Sequence, residues 1–456
     1  AAAFYAADLG RKVILVERDA RLGGVCLNRG CIPSKALLHA TKLIREVRDS
    51  AQRGISFGEP TIRLDQLRTW KESVLQKLGQ GIAGLAARRN VQVLHGRGHF
   101  EDSNTLRVET SAGQTFITYD KAIIAVGSKS AMPKAFDLGN PRVMTSREAL
   151  ELEEIPAELL VIGGGYIGME LGTVYAALGS RVTVVEALDG ILLGADPDLV
   201  RPVMRFAEKH FKEIRLKTKV AKMATAGKQI KVAFDLGGGQ TKEELFDRVL
   251  VAVGRVPNCD DLGLENTRVE RDEKGFIKVN ERMQTTDPSL CAIGDIAGGV
   301  LLAHKAAREA RIAVDNILGE ENTSRDVVIP AVVFTEPEVA WCGLTEAEAK
   351  AQGRAVEIAK FPWSALGRAQ AMGATDGLTK LVIDPETERV LGVGIVGHGA
   401  GELIAEGVVA VEMGATVQDL ALCVHPHPTL SETLMEAAEA FYGHSSHTFT
   451  RRKAEA

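Results

Sequence analysis

Short apolar runs alternate along the chain with longer stretches in which apolar residues recur every three or four positions. The longer stretches predict amphipathic helices at about 35–52 and 64–89, because that spacing places apolar side chains on one helix face. Short runs such as residues 159–162 predict buried strands, and further strand-like segments lie near 91–110. Strands and helices that alternate in this way are typical of an α/β fold.

Two pairs of similar segments indicate a repeated βαβ unit. Residues 9–17 read LGRKVILVE and 178–186 read LGSRVTVVE, while 119–127 read YDKAIIAVG and 246–254 read FDRVLVAVG. In the second copy, a strand and a glycine loop precede the helix. The same offset would place the matching loop of the first copy before Ala1. We therefore expect the chain to begin inside the first helix of an N-terminally truncated nucleotide-binding unit.

The pattern changes after about residue 326. Strand runs at 327–334 and 391–396 flank amphipathic helices at 345–352 and 403–413, which predicts a separate α+β domain. The last stretch, 443–456, is polar and basic and is predicted to be a frayed tail.

Composition excludes several classes of protein. Of 456 residues, 55 are Lys or Arg and 60 are Asp or Glu, so the net charge of −5 gives no cationic field for nucleic acid. The sequence has no apolar stretch of about 18 residues, which a membrane span would need. Six cysteines are too few for a secreted disulfide framework. Glycine is in excess, at 46 residues, which suggests turns that approach phosphate closely.

One glycine motif has the context of a dinucleotide-binding loop. Gly163, Gly165 and Gly168 form GxGxxG between an apolar strand and a helix, where free N–H groups favour phosphate. Glu186 follows at the end of the next strand, where a carboxylate can accept hydrogen bonds from a ribose diol. Its charge favours NAD over NADP, because it would repel a 2′-phosphate. A tight strand–helix turn without a ligand is the alternative, and the context favours nucleotide binding.

Two cysteines five residues apart, Cys26 and Cys31, precede Pro33 and a helical run. A helix start lowers the pKa of a thiol and stabilises the thiolate, so a redox pair is one interpretation. Two buried structural thiols are equally compatible with the spacing, while a metal site is disfavoured because no second Cys or His cluster has zinc-ligand spacing. The remaining cysteines stand alone in apolar surroundings and are expected to be small buried hydrophobes: Cys259, Cys291, Cys342 and Cys423.

Two histidines alternate with prolines near the C-terminus. Glu432 follows His427 by five residues, and a carboxylate bonded to one ring nitrogen would fix the tautomer and leave the other nitrogen as a base. For His425 we expect an ordinary structural role.

Four motifs resemble those of the pyridine nucleotide–disulfide oxidoreductases, and they occur in the same order: CLNRGCIPSK at 26–35, GGGYIGMELG at 163–172, AIGD at 292–295 and HPHPTLSE at 425–432. The resemblance runs across essentially the whole chain. It implies bound FAD, NAD as hydride acceptor and a homodimer. Within the family, the chain most resembles the enzymes that oxidise dihydrolipoyl groups through a redox disulfide and FAD.

The resemblance implies a role for each matching residue. Cys26 would exchange with the substrate disulfide, Cys31 would lie on the flavin side, and Lys35 would pair with Glu170 beside the flavin. Contacts to FAD are expected at Glu17, Gly24, Lys35, Gly98, Gly127, Ser128, Asp295, Leu302, Ala303 and His304. Contacts to NAD are expected at Gly163, Gly165, Gly168, Glu186, Val220 and Gly254.

The resemblance also implies an organisation in which dimerisation completes the site. His427, with Glu432, would be the base and would reach the disulfide of the other subunit. The implied fold is two Rossmann-like dinucleotide-binding domains and a C-terminal α+β dimerisation domain. We expect an FAD-binding domain at 1–143, an NAD-binding domain at 144–262, a central segment at 263–328 that completes the FAD site, and the dimerisation domain at 329–456.

Other members of the family are the alternatives to this prediction. An NADPH-dependent disulfide or mercuric reductase is disfavoured by Glu186 and by the C-terminal RRKAEA, which lacks the paired cysteines of mercuric reductases. A flavin-free fragment that dimerises without catalysis is the non-enzymatic alternative.

The expected partners are a lipoylated acyltransferase of a 2-oxo acid dehydrogenase complex or a lipoylated glycine-cleavage carrier protein. The expected location is the cytoplasm, or the mitochondrial matrix in a eukaryote. Arg29 stands where the family more often has an apolar residue, and its charge could favour a nearby thiolate.

Overall fold

The architecture was taken from a computed structural model, which describes residues 1–238, 240–325 and 327–449. The chain has the α/β fold expected from its sequence, with parallel strands in its N-terminal and middle parts and an antiparallel sheet in its C-terminal part. The last residues of the predicted frayed tail, 450–456, lie outside the described residues.

The N-terminal part contains short parallel strands, long helices and an antiparallel sheet. Its helices are α1 (Ala2–Asp8), α2 (Gly24–Arg29), α3 (Cys31–Ser50) and α4 (Leu64–Arg88). Its strands are β1 (Ile14–Glu17), β2 (Gln92–His95), β3 (Arg97–Asp102), β4 (Thr105–Thr110), β5 (Gly113–Thr118), β6 (Ala122–Ile124) and β7 (Ser128–Ser130). Strands β1 and β2 pair in parallel, and β3, β4 and β5 form an antiparallel sheet. The predicted helix at 35–52 begins four residues earlier, at Cys31.

The middle of the chain forms a five-stranded parallel sheet with helices against it. The elements are β8 (Val143–Met144), α5 (Ser146–Glu151), β9 (Glu158–Ile162), α6 (Tyr166–Leu178), β10 (Arg181–Val185), α7 (Pro197–His210), β11 (Glu213–Arg215), β12 (Lys219–Ala226), β13 (Gln229–Asp235), β14 (Thr241–Phe246), β15 (Arg248–Val251) and β16 (Arg255–Pro257). The strand order is β11-β10-β9-β15-β8, so the glycine loop leaves the central strand. Strand β9 is buried because both sheet faces are covered, which explains its continuous apolar run.

Two strand pairings connect later parts of the chain to the N-terminal part. Strand β17 (Leu290–Ala292) pairs in parallel with β6, and β16 pairs antiparallel with β7. Helix α8 (Ala303–Ile317) follows and packs against the turn after β17.

The C-terminal part is an antiparallel sheet covered by helices. Its elements are β18 (Ala331–Val333), β19 (Glu338–Gly343), α9 (Glu346–Ala351), β20 (Glu357–Pro362), α10 (Gly367–Met372), β21 (Leu378–Ile383), β22 (Val390–Gly397), α11 (Ala400–Glu412), α12 (Val417–Leu422) and α13 (Glu432–Phe441). The strand order is β18-β19-β22-β21-β20.

Two local predictions for this part were wrong. The strand predicted at 327–334 covers only Ala331–Val333, because Pro330 has no N–H to donate and the N–H of Val328 donates to the Glu412 carboxylate at 2.8 Å. The tail predicted to be frayed is held at Ser445 and His447, whose side chains hydrogen-bond the buried Glu436 of α13.

The cysteines outside the pair differ in their surroundings. Cys291 and Cys342 are buried, as predicted, and Cys259 is half-buried. Cys423 is exposed, so the prediction that it is buried was wrong. Cys423 is the C-cap residue of α12. Its chain neighbours Leu422 and Val424 are also exposed in the single chain.

A buried charge network joins the start of α7 to the C-terminal sheet. The Lys380 ammonium is 1% exposed and lies 2.5 Å from Asp196, 2.8 Å from Asp198 and 3.3 Å from Glu346. Asp196 also accepts hydrogen bonds from two backbone N–H groups of α9. These contacts fix α7 relative to the C-terminal sheet, while the domain boundaries at 143, 262 and 328 stay predictions.

Candidate active site

The two cysteines lie on either side of a break between helices. Cys26 is in α2, and Cys31 is the first residue of α3, next to Gly30. No side chain caps α3, so its first N–H groups and the positive end of its dipole favour an anion at this point. The pKa of the Cys31 thiol is lowered to about 7 by a hydrogen bond from Cys26 and by the positive charge of Lys35. The same hydrogen bond, together with burial, raises the pKa of Cys26.

Lys35 and Glu170 form an ion pair one helical turn beyond Cys31. The Lys35 ammonium lies 2.8 Å and 3.0 Å from the two carboxylate oxygens of Glu170, which is 3% exposed on α6. The N–H of Phe334 donates to the same carboxylate at 3.0 Å, and the Lys35 ammonium lies 4.4 Å from the centre of the Phe334 ring. Residues of three domains therefore fix the cation that faces Cys31.

We predict that Cys31 titrates near neutral pH in the reduced protein and that Lys35 is one reason. Below about pH 7 Cys31 is a thiol, and above it a thiolate. Lys35→Met removes the cation that favours the thiolate, so the midpoint should move up towards the ordinary value of 9.0. The measurement is the ultraviolet absorbance of the thiolate, taken as the difference between each protein and its Cys31→Ser counterpart.

A second lysine on α3 provides the control for this titration. Lys42 lies two helical turns further along and hydrogen-bonds His398, so Lys42→Met should leave the midpoint unchanged. A midpoint near 9 in the unmodified protein, or one that does not move in Lys35→Met, would contradict the assignment.

Asp295 is held by two residues from other segments. It lies in the 3₁₀ turn Gly294–Ala297, and its carboxylate accepts a hydrogen bond from the Ser128 hydroxyl. The Arg255 guanidinium donates to the Ser128 hydroxyl at 2.7 Å and lies 3.6 Å from the Asp295 carboxylate. The sequence reasoning missed Arg255, although it directly follows Gly254 in one copy of the repeat.

Two further places hold residues predicted to contact FAD, the end of β1 and the start of α8. Glu17 ends β1, and its carboxylate accepts a hydrogen bond from the Asp19 N–H at 2.9 Å. Leu302 is the N-cap of α8, which no side chain caps, and His304 in its first turn contacts the Pro330 carbonyl oxygen at 2.6 Å.

Three glycines predicted to contact FAD have different surroundings. Gly24 and Gly127 have φ of +62° and +68°, and a Cβ at either would meet nothing within 4 Å, so a ligand can approach the backbone. Gly98 lies within β3 opposite Val108, and a Cβ there would meet Leu106 at 3.3 Å. Packing therefore accounts for glycine at position 98.

The residues predicted to bind NAD lie around the start of α6. A Cβ at Gly163 would meet the Ala252 carbonyl oxygen at 2.4 Å, and one at Gly168 would meet the Gly163 oxygen at 2.1 Å, so only glycine fits. Gly165, by contrast, faces open space at the uncapped N-terminus of α6. A phosphate can bind there without displacing a side chain.

A carboxylate lies beside the glycine loop, where the adenosine half of NAD is predicted to bind. Glu186 follows β10, and its two oxygens accept hydrogen bonds from the N–H groups of Gly164 and Leu188 at 2.8 Å and 2.9 Å. A carboxylate has about four acceptor positions, so two remain for a ribose diol. Val220 lies in β12, and Gly254 has φ of +125° with open space beside it.

The two histidines near the C-terminus have opposite surroundings. The His427 ring is 71% exposed, and its Nδ1 lies 2.8 Å from Glu432, whose carboxylate is buried. Burial opposes ionisation of Glu432, but hydrogen bonds from the Thr429 N–H and from His427 lower its pKa. Within the described residues, the hydrogen bond of the His427 ring is made by Nδ1, and none is found at Nε2. The His425 ring is 6% exposed and is held by Glu406 at 2.7 Å, which is typical of a structural histidine.

Arg29 pairs with a carboxylate outside the thiol pair. Its guanidinium forms an ion pair with Asp19, in the turn after Glu17. The Arg29 charge is therefore paired at this turn, and the ion pair links α2 to the end of β1.

The structure brings six of the predicted residues into two groups within one chain. Cys26, Cys31, Lys35 and Glu170 form the first, and Ser128 with Asp295 the second. For the described residues, the hydrogen-bond partner of the His427 ring is Glu432, and no hydrogen bond links it to either cysteine. Phe334 was not predicted, because its backbone contact to Glu170 spans 164 residues and leaves no local signal.

The residues present fit FAD and NAD. The carboxylates at the ends of β1 and β10 and at position 295 can accept hydrogen bonds from sugar and ribityl hydroxyls, while Lys35 and the uncapped start of α8 can donate to ring nitrogen and oxygen atoms. Within the described part of the chain, no group of three or more His, Cys, Asp or Glu side chains is placed to hold a metal ion. Across residues 1–238, 240–325 and 327–449, no helix combines the length and apolar character that crossing a membrane requires.

Comparison with known families matches nearly the whole chain. Residues 1–310 match the pyridine nucleotide-disulphide oxidoreductase family, and residues 329–438 match the dimerisation domain of the same family.

Similar proteins extend this match. Dihydrolipoyl dehydrogenases from Vibrio cholerae serotype O1 and Thermus scotoductus are 46% and 45% identical to the chain, over 97% and 99% of its length and 93% and 96% of theirs. Among solved structures, LpdA from Mycobacterium tuberculosis has a TM-score of 0.88 at 27% identity, covering 96% of both chains. The flavoprotein disulfide reductase RclA from Escherichia coli, in a Cu(II) complex, has a TM-score of 0.86 at 28% identity, also covering 96% of both chains.

Proposed function

The chain belongs to the pyridine nucleotide-disulphide oxidoreductase family, and from this premise we propose the part that each residue plays in its reaction. Its activity is the FAD-dependent oxidation of dihydrolipoyl groups with NAD⁺ as the acceptor. The balanced reaction is dihydrolipoyl + NAD⁺ → lipoyl + NADH + H⁺. The chain forms a homodimer through its C-terminal domain.

The thiol pair at the start of α3 is the observation that carries the proposal. Cys31 has a pKa of about 7 and faces the ion pair of Lys35 and Glu170, whereas the pKa of Cys26 is raised. Two thiols with such different acidities are suited to different roles. Cys31 becomes the thiolate on the flavin side, and Cys26 exchanges with the substrate.

Substrate oxidation proceeds by two thiol–disulfide exchanges. A substrate thiolate attacks the Cys26 sulfur of the Cys26–Cys31 disulfide, forming a mixed disulfide and releasing the Cys31 thiolate. The second substrate thiol then attacks the mixed disulfide, which releases the lipoyl disulfide and the Cys26 thiol. His427 accepts the substrate proton at Nε2, while Glu432 holds Nδ1.

Residues of the N-terminal domain and the central segment hold the flavin. Glu17 would bind the adenosine ribose, and Asp295, aligned by Ser128, would bind the ribityl chain. Lys35 would lie beside the reactive ring nitrogen, and the start of α8 would face the pyrimidine side. When bound, FAD would supply the acceptor for the two electrons of the dithiol and the donor of the hydride that NAD⁺ receives.

The NAD site predicts cofactor preference. Glu186→Arg removes the ribose acceptor and introduces a partner for a 2′-phosphate, so kcat/KM for NAD⁺ should fall by about 100-fold and the rate with NADP⁺ should rise. The measurement is steady-state turnover with each nucleotide. Glu186→Gln is the matched variant, and it should weaken the preference without reversing it. An unchanged NAD⁺ to NADP⁺ ratio in Glu186→Arg would contradict the assignment.

The homodimer would complete the site. Val409, Met413, Leu422 and Val424 are exposed on the C-terminal domain of the single chain, and Val424 is 96% exposed. An apolar face of this kind is suited to a subunit interface. Next to it lies the segment that carries His427, which in our proposal reaches the disulfide of the partner subunit.

The substrate implies particular partners. A lipoylated acyltransferase of a 2-oxo acid dehydrogenase complex, or a lipoylated glycine-cleavage carrier protein, would present the dihydrolipoyl group. Because a dithiol substrate must be kept reduced, we propose a reducing compartment, the bacterial cytoplasm or the mitochondrial matrix.

Reduction of bound flavin by the substrate tests the proposed function. Anaerobic addition of dihydrolipoamide should bleach the visible flavin absorbance, and NAD⁺ should restore it with release of NADH. A protein whose flavin colour survives dihydrolipoamide would contradict the proposal. Bleaching by NADPH but not by dihydrolipoamide would instead support a disulfide reductase.

A further inference from the structure

Two buried charged residues of α8 hold the turn that carries Asp295. Lys305 is 6% exposed and Glu309 is 7% exposed, and they lie one helical turn apart. The Lys305 ammonium lies 2.8 Å from a Glu309 carboxylate oxygen. Neither residue belongs to the groups described above as binding a cofactor or substrate.

The Lys305 ammonium and both Glu309 carboxylate oxygens form hydrogen bonds or an ion pair, either with the backbone of the turn or with each other. The Lys305 ammonium donates to the carbonyl oxygens of Gly298 at 2.7 Å and of Gly294 at 3.3 Å, and its third donor binds Glu309. The second carboxylate oxygen of Glu309 accepts a hydrogen bond from the N–H of Gly294 at 2.7 Å. The pair therefore binds both backbone polar groups of Gly294, the residue before Asp295.

The turn needs such support because of its own composition. Gly294 and Gly298 both have φ of +76°, a region that glycine enters freely and other residues rarely adopt. A Cβ at Gly294 would meet the Cβ of Ala306 at 3.1 Å, so glycine also permits close approach to α8. Glycine leaves the isolated turn many other conformations, and contacts from outside it must select this one.

We propose that Lys305 and Glu309 are positioning residues for FAD, because they fix residues 294–298 so that Asp295 presents its carboxylate to the ribityl chain. The inference rests on the role given to Asp295 in the proposed function. A buried ion pair adds little stability compared with apolar residues of the same volume, so the geometry it fixes is the better explanation for its presence.

The test is the rate of FAD release from the holoenzyme, followed by the fluorescence of free flavin. In Glu309→Gln, one amide cannot satisfy both Lys305 and the N–H of Gly294, so release should be about tenfold faster or more. Glu270→Gln is the matched control, because it removes a carboxylate from the exposed pair with Lys278 in the same segment, and release should not change. Affinity for NAD⁺, measured by titration, should be unaffected in both variants.

A double-mutant cycle separates positioning from general stabilisation. If the pair acts through Asp295, Glu309→Gln should change the release rate of Asp295→Asn by no more than about twofold. The two effects would multiply if Glu309 only stabilised the fold. Unchanged flavin release in Glu309→Gln, or full multiplication, would overturn the proposal.

An apolar replacement covers the case in which a single variant misfolds. Lys305→Met combined with Glu309→Leu leaves no unpaired charge, so the protein should still fold. Its melting temperature should be lower, because the backbone groups of Gly294 and Gly298 lose their partners. The double variant should still release flavin about tenfold faster, and normal release would contradict the proposal. The readout is independent of dihydrolipoyl turnover, so loss of the proposed function would leave this result interpretable.

Discussion

Replacement of Cys31 by serine is expected to abolish dihydrolipoyl turnover while the flavin stays bound. Serine cannot form the disulfide with Cys26, and its hydroxyl does not ionise near pH 7, so no thiolate faces Lys35. We expect kcat to fall by at least about a thousandfold. Flavin should be retained, because the proposed contacts at Glu17 and Asp295 do not involve Cys31. The measurements are steady-state turnover and the visible flavin spectrum.

Two comparisons make this result specific. NADH should still bleach the flavin of Cys31→Ser, because the NAD site around α6 is untouched. Cys259→Ser is the matched control, since this half-buried cysteine donates to the Gly275 carbonyl oxygen outside the site, and turnover should stay normal. Normal turnover in Cys31→Ser would mean that the thiol assignment is wrong.

Replacement of His427 by glutamine should lower kcat by about 10² to 10⁴-fold. Glutamine cannot accept the substrate proton, although it can keep a hydrogen bond to Glu432. The visible flavin spectrum and the melting temperature should change little, because the ring is 71% exposed. His425→Gln is the matched control, and it should affect thermal stability more than kcat, because its buried ring binds Glu406. Equal losses of kcat in the two variants would contradict the assignment.

Mixed dimers test whether the site is shared between subunits. Cys31→Ser and His427→Gln are each expected to be inactive as homodimers. In a mixed dimer, one site receives both replacements, and the other has an intact disulfide and an intact base. Random assembly should therefore restore about a quarter of the unmodified activity. If each subunit built its site alone, every site in the mixture would carry one replacement and no activity would return.

Much of the fold could be predicted from local patterns. The repeated segments at 9–17 and 178–186 correspond to β1 and β10 with the residues before them, and the strand periodicity located β9 and β22. Helix α4 begins at its predicted first residue, Leu64. These predictions succeeded because burial of one face of a helix or strand makes apolar residues recur at a fixed spacing. Burial of both faces of a strand gives a continuous apolar run. The prediction at 327–334 was wrong because a tertiary hydrogen bond from Val328 to Glu412 replaced strand pairing.

The features of the candidate site also divide into local ones, which could be predicted, and long-range ones, which could not. The sequence by itself determined the local features: the Cys26–Cys31 spacing, the GxGxxG loop with Glu186, and the five residues between His427 and Glu432. The cysteine pair and the His427–Glu432 pair each depend on atoms that are close in the chain. Glu186 reaches the N–H of Gly164 across 22 residues, through the parallel pairing of β9 and β10 within one βαβ unit.

Only the tertiary structure decided the long-range contacts. Arg255 binds Ser128 across 127 residues, the Phe334 N–H binds Glu170 across 164, and Glu309 reaches back to hold the turn before Asp295. The periodicity of apolar residues does not show which strand will lie beside which helix, because these contacts depend on how whole elements pack. The acidity of Cys31 was likewise only indicated by its place at a helix start, and the position of Lys35 and the hydrogen bond from Cys26 fixed it.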